Sequence, residues 1–255
     1  MVNREYVVNS VLKALDILEL LDDKSELGIT QIARTFDMEK STVYRLVNSL
    51  RIRGYVQQNP DNQKYSNGFK LFEMGNNVVK HMGMRKQAYP FLKELSEKTG
   101  EAVNLAIRDE KYVVYLDKIE SQSTIRVDLA VGKKMPMYCT GLGKAILAFL
   151  PQEKVEELLR GEVFEQFTSH THRDLKSLTE ELIEIRNQGF AWDHEEYVEG
   201  LICVAAPVFG LGGKVVAAIS TALPKYYVSE DEQEKAKDHV VEVAQKLTKA
   251  LSGAL

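Results

Sequence analysis

What most constrains this chain is the order of short elements in its first 66 residues. Val8, Val11, Leu12, Leu15, Leu18 and Leu21 recur at three- and four-residue steps, so the spacing predicts an amphipathic helix over Val8–Leu21, with Asn9 or Ser10 near its start. Asp22-Asp23-Lys24-Ser25 is expected to break it. Thr30 is placed to cap a second helix carrying Ile32, Ala33 and Phe36. Asp37–Lys40 forms a short turn, and a third run bears Val43, Leu46, Val47, Leu50 and Ile52. Gly54 can end that helix, Tyr55–Gln58 alternates like a strand, Asn59–Gln63 makes a turn, and Lys64-Tyr65-Ser66 returns as a second strand. Three helices followed at once by a hairpin match a winged helix-turn-helix. In that module the third helix enters the major groove of DNA and the hairpin reaches the backbone or the minor groove.

Ser41, Thr42, Tyr44, Arg45 and Asn48 lie on the faces of the third helix that its apolar stripe leaves free, and they supply donors and acceptors suited to base edges and phosphates. With Gln31 on the second helix, Lys40 at the entry to the third and Lys64 on the hairpin, they form the expected DNA-contacting set. The whole chain has a net charge of minus 4, which excludes a protein that is basic all over. From Lys24 to Tyr65, however, seven cations stand against four acids, a local net of plus three. The same elements could serve as a packing module with a solvated face; their order, together with a cationic third helix, weighs against that.

At 255 residues the chain suits two domains, each with its own core. Met1–Ser10 has no apolar core of signal-peptide length, and the most apolar stretch, Ala145–Leu150, is too short to span a bilayer, so a cytoplasmic protein with no membrane contact is expected. Cys139 and Cys203 match no disulfide framework or metal-binding pair and read as free thiols.

Phe69–Met82 is apolar at Phe69, Leu71, Phe72, Val78 and Val79 and reads as a joining helix that ends near Gly83. Beyond it the periodicity changes. Ala102–Arg108 and Tyr112–Ile119 read as strands around an Asp109-Glu110 turn, Ile125–Val131 as a third, and Ile202–Val208 with Val215–Leu223 as a later hairpin. Helical runs are expected at Gly141–Phe149, Pro151–Leu159, Ser177–Gln188 and Ser229–Leu251. Hairpins with helices beside them indicate an α+β sheet domain. The expected boundaries are 1–68 for the winged module, 69–83 for the joining helix and 84–255 for the second domain.

The chemistry concentrates at Thr140-Gly141-Leu142-Gly143. Thr140 can cap a helix starting there, and the glycines leave backbone N–H groups open to a carboxylate; an ordinary cap with glycines for tight packing is the competing reading. The segment is no phosphate loop, because Tyr138 and Ala145 stand where a Walker motif needs Gly and Ser or Thr. Gly210–Lys214 fails likewise, ending in Val215. Cys139, beside a helix start, is the best candidate for an enzyme nucleophile acting on a small acid, but no histidine partner is indicated. His170, His172 and Asp174 form no closed metal site and read as a loop with exposed imidazoles. Neither metal nor cofactor is expected.

Gly28–Ala33, Ser41–Val47 with Leu50, Gly54-Tyr55-Val56, Tyr65–Leu71, Thr99–Leu105, Thr140–Ala145, Gly189–Asp193, Glu195-Glu196 and Gly200–Val208 together resemble, in order and over nearly the whole chain, the isocitrate-lyase-regulator (IclR) family of bacterial transcription factors. The resemblance implies a GAF-like antiparallel sheet in the second domain and a joining helix that helps pair two chains into a dimer or tetramer. It also implies a repressor of carbon catabolism that binds a double-stranded DNA operator and senses a small organic acid, such as a keto, sugar or aromatic acid. By the same resemblance the acid would lie against Thr140, Gly141, Leu142, Asp193, Leu201, Cys203 and Ser220, with Glu196 a further polar candidate. In some relatives Asp193 and Cys203 would be placed to hold a metal. By itself Cys203 also reads as a small buried hydrophobe. The chain departs from some relatives in having Ala222 for a second serine and Leu142 for alanine, which leaves the site less polar or smaller.

Overall fold

The computed structural model describes residues 7–121 and 130–253, and the chain divides into two units, Met1–Met82 and Gly83–Leu255. In the first, α1 (Asn9–Lys24), α2 (Ile29–Thr35) and α3 (Lys40–Ile52) precede a hairpin of β1 (Val56–Gln58) and β2 (Tyr65–Asn67), and α4 (Phe69–Met82) follows. Ile17, Leu21, Ile32, Ala33, Val43, Val47, Val56 and Tyr65 form the core, one or two from each of the first five elements. α1 runs through Asp22, Asp23 and Lys24 rather than breaking there, since exposed charges are tolerated in a helix; it stops where Ser25 takes a φ of 62°. α2 starts a residue before the expected cap: Gly28 is its N-cap, Thr30 lies inside it, and the Gln31 side chain accepts the Gly28 N–H at 2.9 Å. Leu27 exchanges two backbone hydrogen bonds with Tyr65, which ties the hairpin to the start of α2. Gly68 permits the exit from the hairpin, because a Cβ there would lie 2.3 Å from the Gly54 carbonyl oxygen.

The second unit opens with α5 (Met84–Thr99), a helix that the sequence reading leaves out. Pro90 inside it masks the Ala88, Leu92 and Leu95 stripe that it buries. The sheet comprises β3 (Ala102–Asp109), β4 (Tyr112–Ile119), β5 (Lys134–Pro136), β6 (Ala191–His194), β7 (Leu201–Phe209) and β8 (Val215–Pro224), all antiparallel, in the order β5-β4-β3-β8-β7-β6. The short strands β5 and β6 carry too few residues for alternation to reveal them. Five of the seven residues of the strand expected at Ile125–Val131 fall on residues 122–129, outside the described residues, and Ala130 and Val131 lie outside any strand. Between β5 and β6 lie α6 (Gly141–Leu147), α7 (Gln152–Leu159) and α8 (Leu175–Gln188), and α9 (Glu230–Ser252) follows β8, capped by Ser229 in a reciprocal pair with Glu232.

Cross-strand partners share a face and side chains alternate along a strand, so the register sorts the sheet into two sides. Ala102, Asn104 and Ala106 of β3 line up with Ala222, Ser220 and Ala218 of β8. Cys203 and Ala205 of β7 continue the rows, with Asp193 and Ala191 of β6 at the edge. This is the side of α6: a Cβ on Gly141 would lie 3.4 Å from that of Ala205 and 3.5 Å from that of Asp193. Val103, Leu105, Val204 and Ile219 point the other way and are fully buried, on the side covered by α5 and α9. The result is the expected α+β fold, a winged helix-turn-helix and an antiparallel sheet flanked by helices.

Candidate DNA-reading face and buried polar site

α3 buries Val43 and Val47 and exposes Lys40, Ser41, Thr42, Tyr44 and Arg45, the polar face expected from its stripe. Tyr44, 54% exposed, stands out from the helix beside Arg45. Three residues of the set have local work as well. Asn48 accepts a hydrogen bond from Arg51 at 3.0 Å, Gln31 caps α2, and Lys64 of the hairpin pairs with Glu26 at 3.3 Å. The free polar surface therefore concentrates in the first turn and a half of α3.

In the second unit, the α6 side of the sheet is built from alanines and a few buried polar groups. Asp193 (6% exposed), Ser220 (2%) and Asn104 (3%) lie on it with Cys203, while Leu201 sits two residues before Cys203 on the same side. Tyr115 of β4, opposite Ala106, joins them; burial raises its phenol, reinforced by Cys203 and Asp193. Thr140 behaves as expected, its hydroxyl accepting the Gly143 N–H at 3.1 Å and donating to Pro136 O at 3.3 Å. The two glycines differ. Gly143 is forced by packing, since a Cβ would lie 2.3 Å from the Met137 carbonyl oxygen, whereas Gly141 faces the sheet and gives its N–H to Asp193. Asp193 also accepts the Glu196 N–H at 2.9 Å. The expectation of several open N–H groups at this helix end is thus corrected: two are satisfied from within the protein. Leu142 is packed in the hydrophobic core between α6, α8 and the sheet.

Electrostatics on this side are strong. Burial, reinforced by Glu196, lifts the Asp193 carboxyl to about 7, against Lys144 and the two backbone donors. Lys144 is fully buried and meets both Glu181, at 2.6 Å, and Glu196. Burial works against its charge, yet Glu196 and Glu181 outweigh it and hold the ammonium above its ordinary value. His172 bonds to Glu181 and, at 3.2 Å, to Ser177. This corrects the reading of the histidine pair: His170 is exposed, but His172 is built into the network, and Asp174 caps α8. His172, Glu181 and Glu196 offer atoms within 4.8 Å of one another, and the Lys144 ammonium among them already supplies the positive charge a metal would bring. Cys139 is no activated nucleophile, because burial and then Asp193 and Glu196 push its thiol well above the usual range. Burial raises Cys203 likewise. Asn104, Tyr115 and the Lys144 network are what sequence reasoning missed; the alternation Ala102, Asn104, Ala106 is the signal that would have found the first.

Two family models match the chain: "IclR helix-turn-helix domain" over residues 10–60 and "Bacterial transcriptional regulator IclR C-terminal" over residues 76–249. The chain is 37% identical over 224 residues to the HTH-type transcriptional regulator KdgR of Escherichia coli (strain K12), covering 88% of this chain and 85% of that one. It is similar to the crystal structure of the Thermotoga maritima IclR, with a TM-score of 0.80, 31% identity, and coverage of 96% and 99%. An IclR homolog from Microbacterium hydrocarbonoxydans complexed with 4-hydroxybenzoate shares the fold, with a TM-score of 0.81 at 21% identity over 96% of this chain and 98% of that one.

Proposed function

The chain belongs to the IclR family of bacterial transcriptional regulators, and from that premise we propose that it is a cytoplasmic, acid-responsive repressor of a carbon-catabolism operon. The observation that carries this reading is the exposed polar face of α3 beside a hairpin, in a unit whose core holds α3 by Val43 and Val47. Arg45, Ser41, Thr42 and Tyr44 read base edges in the major groove, and Lys40, Gln31, Asn48 and Lys64 hold phosphates around them. Residues 1–68 make up the reading module, 69–83 the joining helix and 84–255 the sensing domain. Two chains pair through the N-terminal unit, a step supported by apolar surface that one chain leaves uncovered: Val8 (62% exposed) at the N-cap of α1, Val11, Leu12 and Leu15 on α1, and Phe69 (81%), Phe72 and Val78 on α4. Pairing gives a dimer, or a tetramer by a further contact, matched to a pseudo-palindromic operator.

The effector is a small organic acid lying on the α6 side of the sheet against Thr140, Gly141, Leu142, Asp193, Leu201, Cys203 and Ser220. The burial of Asp193, Ser220 and Thr140 among alanines supports this, as does the acid bound to a protein of the same fold. Two carboxylates cannot share one buried place while both are charged, so the acid binds with Asp193 holding a proton, as its raised pKa permits. By linkage, an acid that releases DNA is itself bound more weakly by the DNA-bound protein. The test is a mobility-shift selection of genomic fragments, repeated with Arg45→Ala and with a panel of acids. Retention of specific fragments, and their release by one acid, is the expected result; no specific retention would refute the reading.

A further inference from the structure

Asn104 lies in β3 with 3% of its surface exposed, and its side-chain oxygen Oδ1 is buried with no hydrogen-bond partner among the described residues. A buried amide oxygen without a donor bears its desolvation penalty in full, so a position where an apolar side chain would pack at no such cost holds a polar one at the expense of stability. The register shows where that loss is recovered. Asn104 stands opposite Ser220 of β8, Ser220 stands opposite Ala205 of β7, and Ala205 is the residue that Gly141 approaches. Asn104 thus looks onto the same side of the sheet as Ser220, Cys203 and Asp193, about 10 Å from Ala205 across two strand spacings. On that side Ala102 and Ala106 of its own strand and Ala218 and Ala222 of β8 carry only methyl groups, while its direct partners are Ser220 of β8 and, on β4, Lys118, whose ammonium pairs with Glu120 at 3.0 Å. An acid held beside Ser220 at the start of α6 reaches Asn104 across a single strand spacing.

We propose that Asn104 is a specificity-determining residue of the effector site, its amide oxygen accepting a hydrogen bond from a hydroxyl of the bound acid, so that the effector is a hydroxylated carboxylic acid. The proposal rests on the reading that the acid binds on this side of the sheet. A hydroxyl fits better than an ammonium because Asn104 is neutral, and the site's own carboxylate, Asp193, lies three strands away on β6. A site built to meet a hydroxyl discriminates against the analogue that lacks it, because binding that analogue leaves the buried oxygen orphaned.

The experiment uses the full-length protein and paired acids: 4-hydroxybutyrate and butyrate, gluconate and hexanoate, 4-hydroxybenzoate and benzoate. Binding is measured by thermal shift and calorimetric titration. In the wild type, at least one hydroxylated member is expected to bind about tenfold or more tightly than its partner. Asn104→Leu should bring that pair to within about twofold and, without acid, melt no lower than the wild type, since the orphaned oxygen is gone. Should the leucine variant fail to fold, Asn104→Ala carries the same comparison. A hydroxyl preference that survives in the variants overturns the proposal. So does binding without any hydroxyl preference, which would leave the effector site itself standing when Ser220→Ala still weakens it. If no acid binds the wild type, the reading of the site falls and the proposal falls with it.

Discussion

Replacing Lys144 with Met removes the one positive charge among three buried or half-buried groups while keeping the length of the side chain. Lys144 is fully buried, and its ammonium meets Glu181 at 2.6 Å and also Glu196. Glu181 retains 27% side-chain exposure and can turn to water, but Glu196 has 6%, and its Oε2 already has no hydrogen-bond partner among the described residues. The variant therefore strands Glu196. Breaking a buried pair by deleting one member costs about 3–5 kcal/mol, and the Glu196 end dominates because Glu181 can rehydrate. At about 2–4 °C per kcal/mol for a unit of roughly 150–250 residues, the melting temperature of the second unit should fall by about 6–20 °C. Trp192, the single tryptophan, lies on β6 of that unit, so its fluorescence follows the unit's unfolding without a signal from the winged module. The double variant Lys144→Met with Glu196→Gln neutralises the stranded carboxylate and should recover most of the loss, as apolar or neutral replacements of whole buried pairs do. A single variant within about 1 kcal/mol of the wild type, or a double variant no better than the single, would refute the argument.

Asp193→Asn tests the raised carboxyl: its folded pKa of about 7 lies above the ordinary 3.8, so the folded wild type holds a proton that the unfolded chain releases, and wild-type stability declines as pH rises from about 4 through 7. Urea midpoints should therefore show the Asn variant gaining on the wild type across that window and level above it; parallel profiles would show that Asp193 titrates normally. In the wild type, affinity for an anionic acid should fall as pH rises past 7, and calorimetry in buffers of different ionisation heat should show proton uptake on binding. Arg45→Ala should weaken specific operator binding by about 5- to 150-fold, the equivalent of about 1–3 kcal/mol for a bidentate base contact, with acid affinity unchanged; an unchanged gel shift removes Arg45 from the contact set. Gly143→Ala drives a Cβ to 2.4 Å from the Met137 Cα, a backbone atom that cannot step aside cheaply, so a loss of about 3 kcal/mol or more is expected in denaturant titration, and a wild-type midpoint would contradict the packing.

Much of this protein is decided over short distances along the chain. α1 buries Ile17 and Leu21 and leaves Val8, Val11, Leu12 and Leu15 of its expected stripe exposed, but the Val43 and Val47 stripe of α3, the hairpin around Asn59–Gln63, the cap at Thr140 and the strand over Tyr112–Ile119 all depend on residues within about one turn or one pleat of each other, and all are legible in the sequence. So is the α3 face, because Val43 and Val47 leave only one direction for Ser41, Thr42, Tyr44 and Arg45. The family's ordered motifs carry the rest of the identification. Other features were settled only when distant segments met. Alternation says that Asn104 and Ser220 each face one side of a strand, but only the pairing of β3 with β8, more than a hundred residues apart, sets them opposite one another beside Cys203 and Asp193. Lys144 looks like a solvated residue of a glycine loop until α8 and the residues after β6 bring Glu181 and Glu196 to it, and His172 looks like a loop imidazole until Glu181 takes it. Burial and long-range pairing set the energies of these groups, and neither is a property of a local stretch of chain.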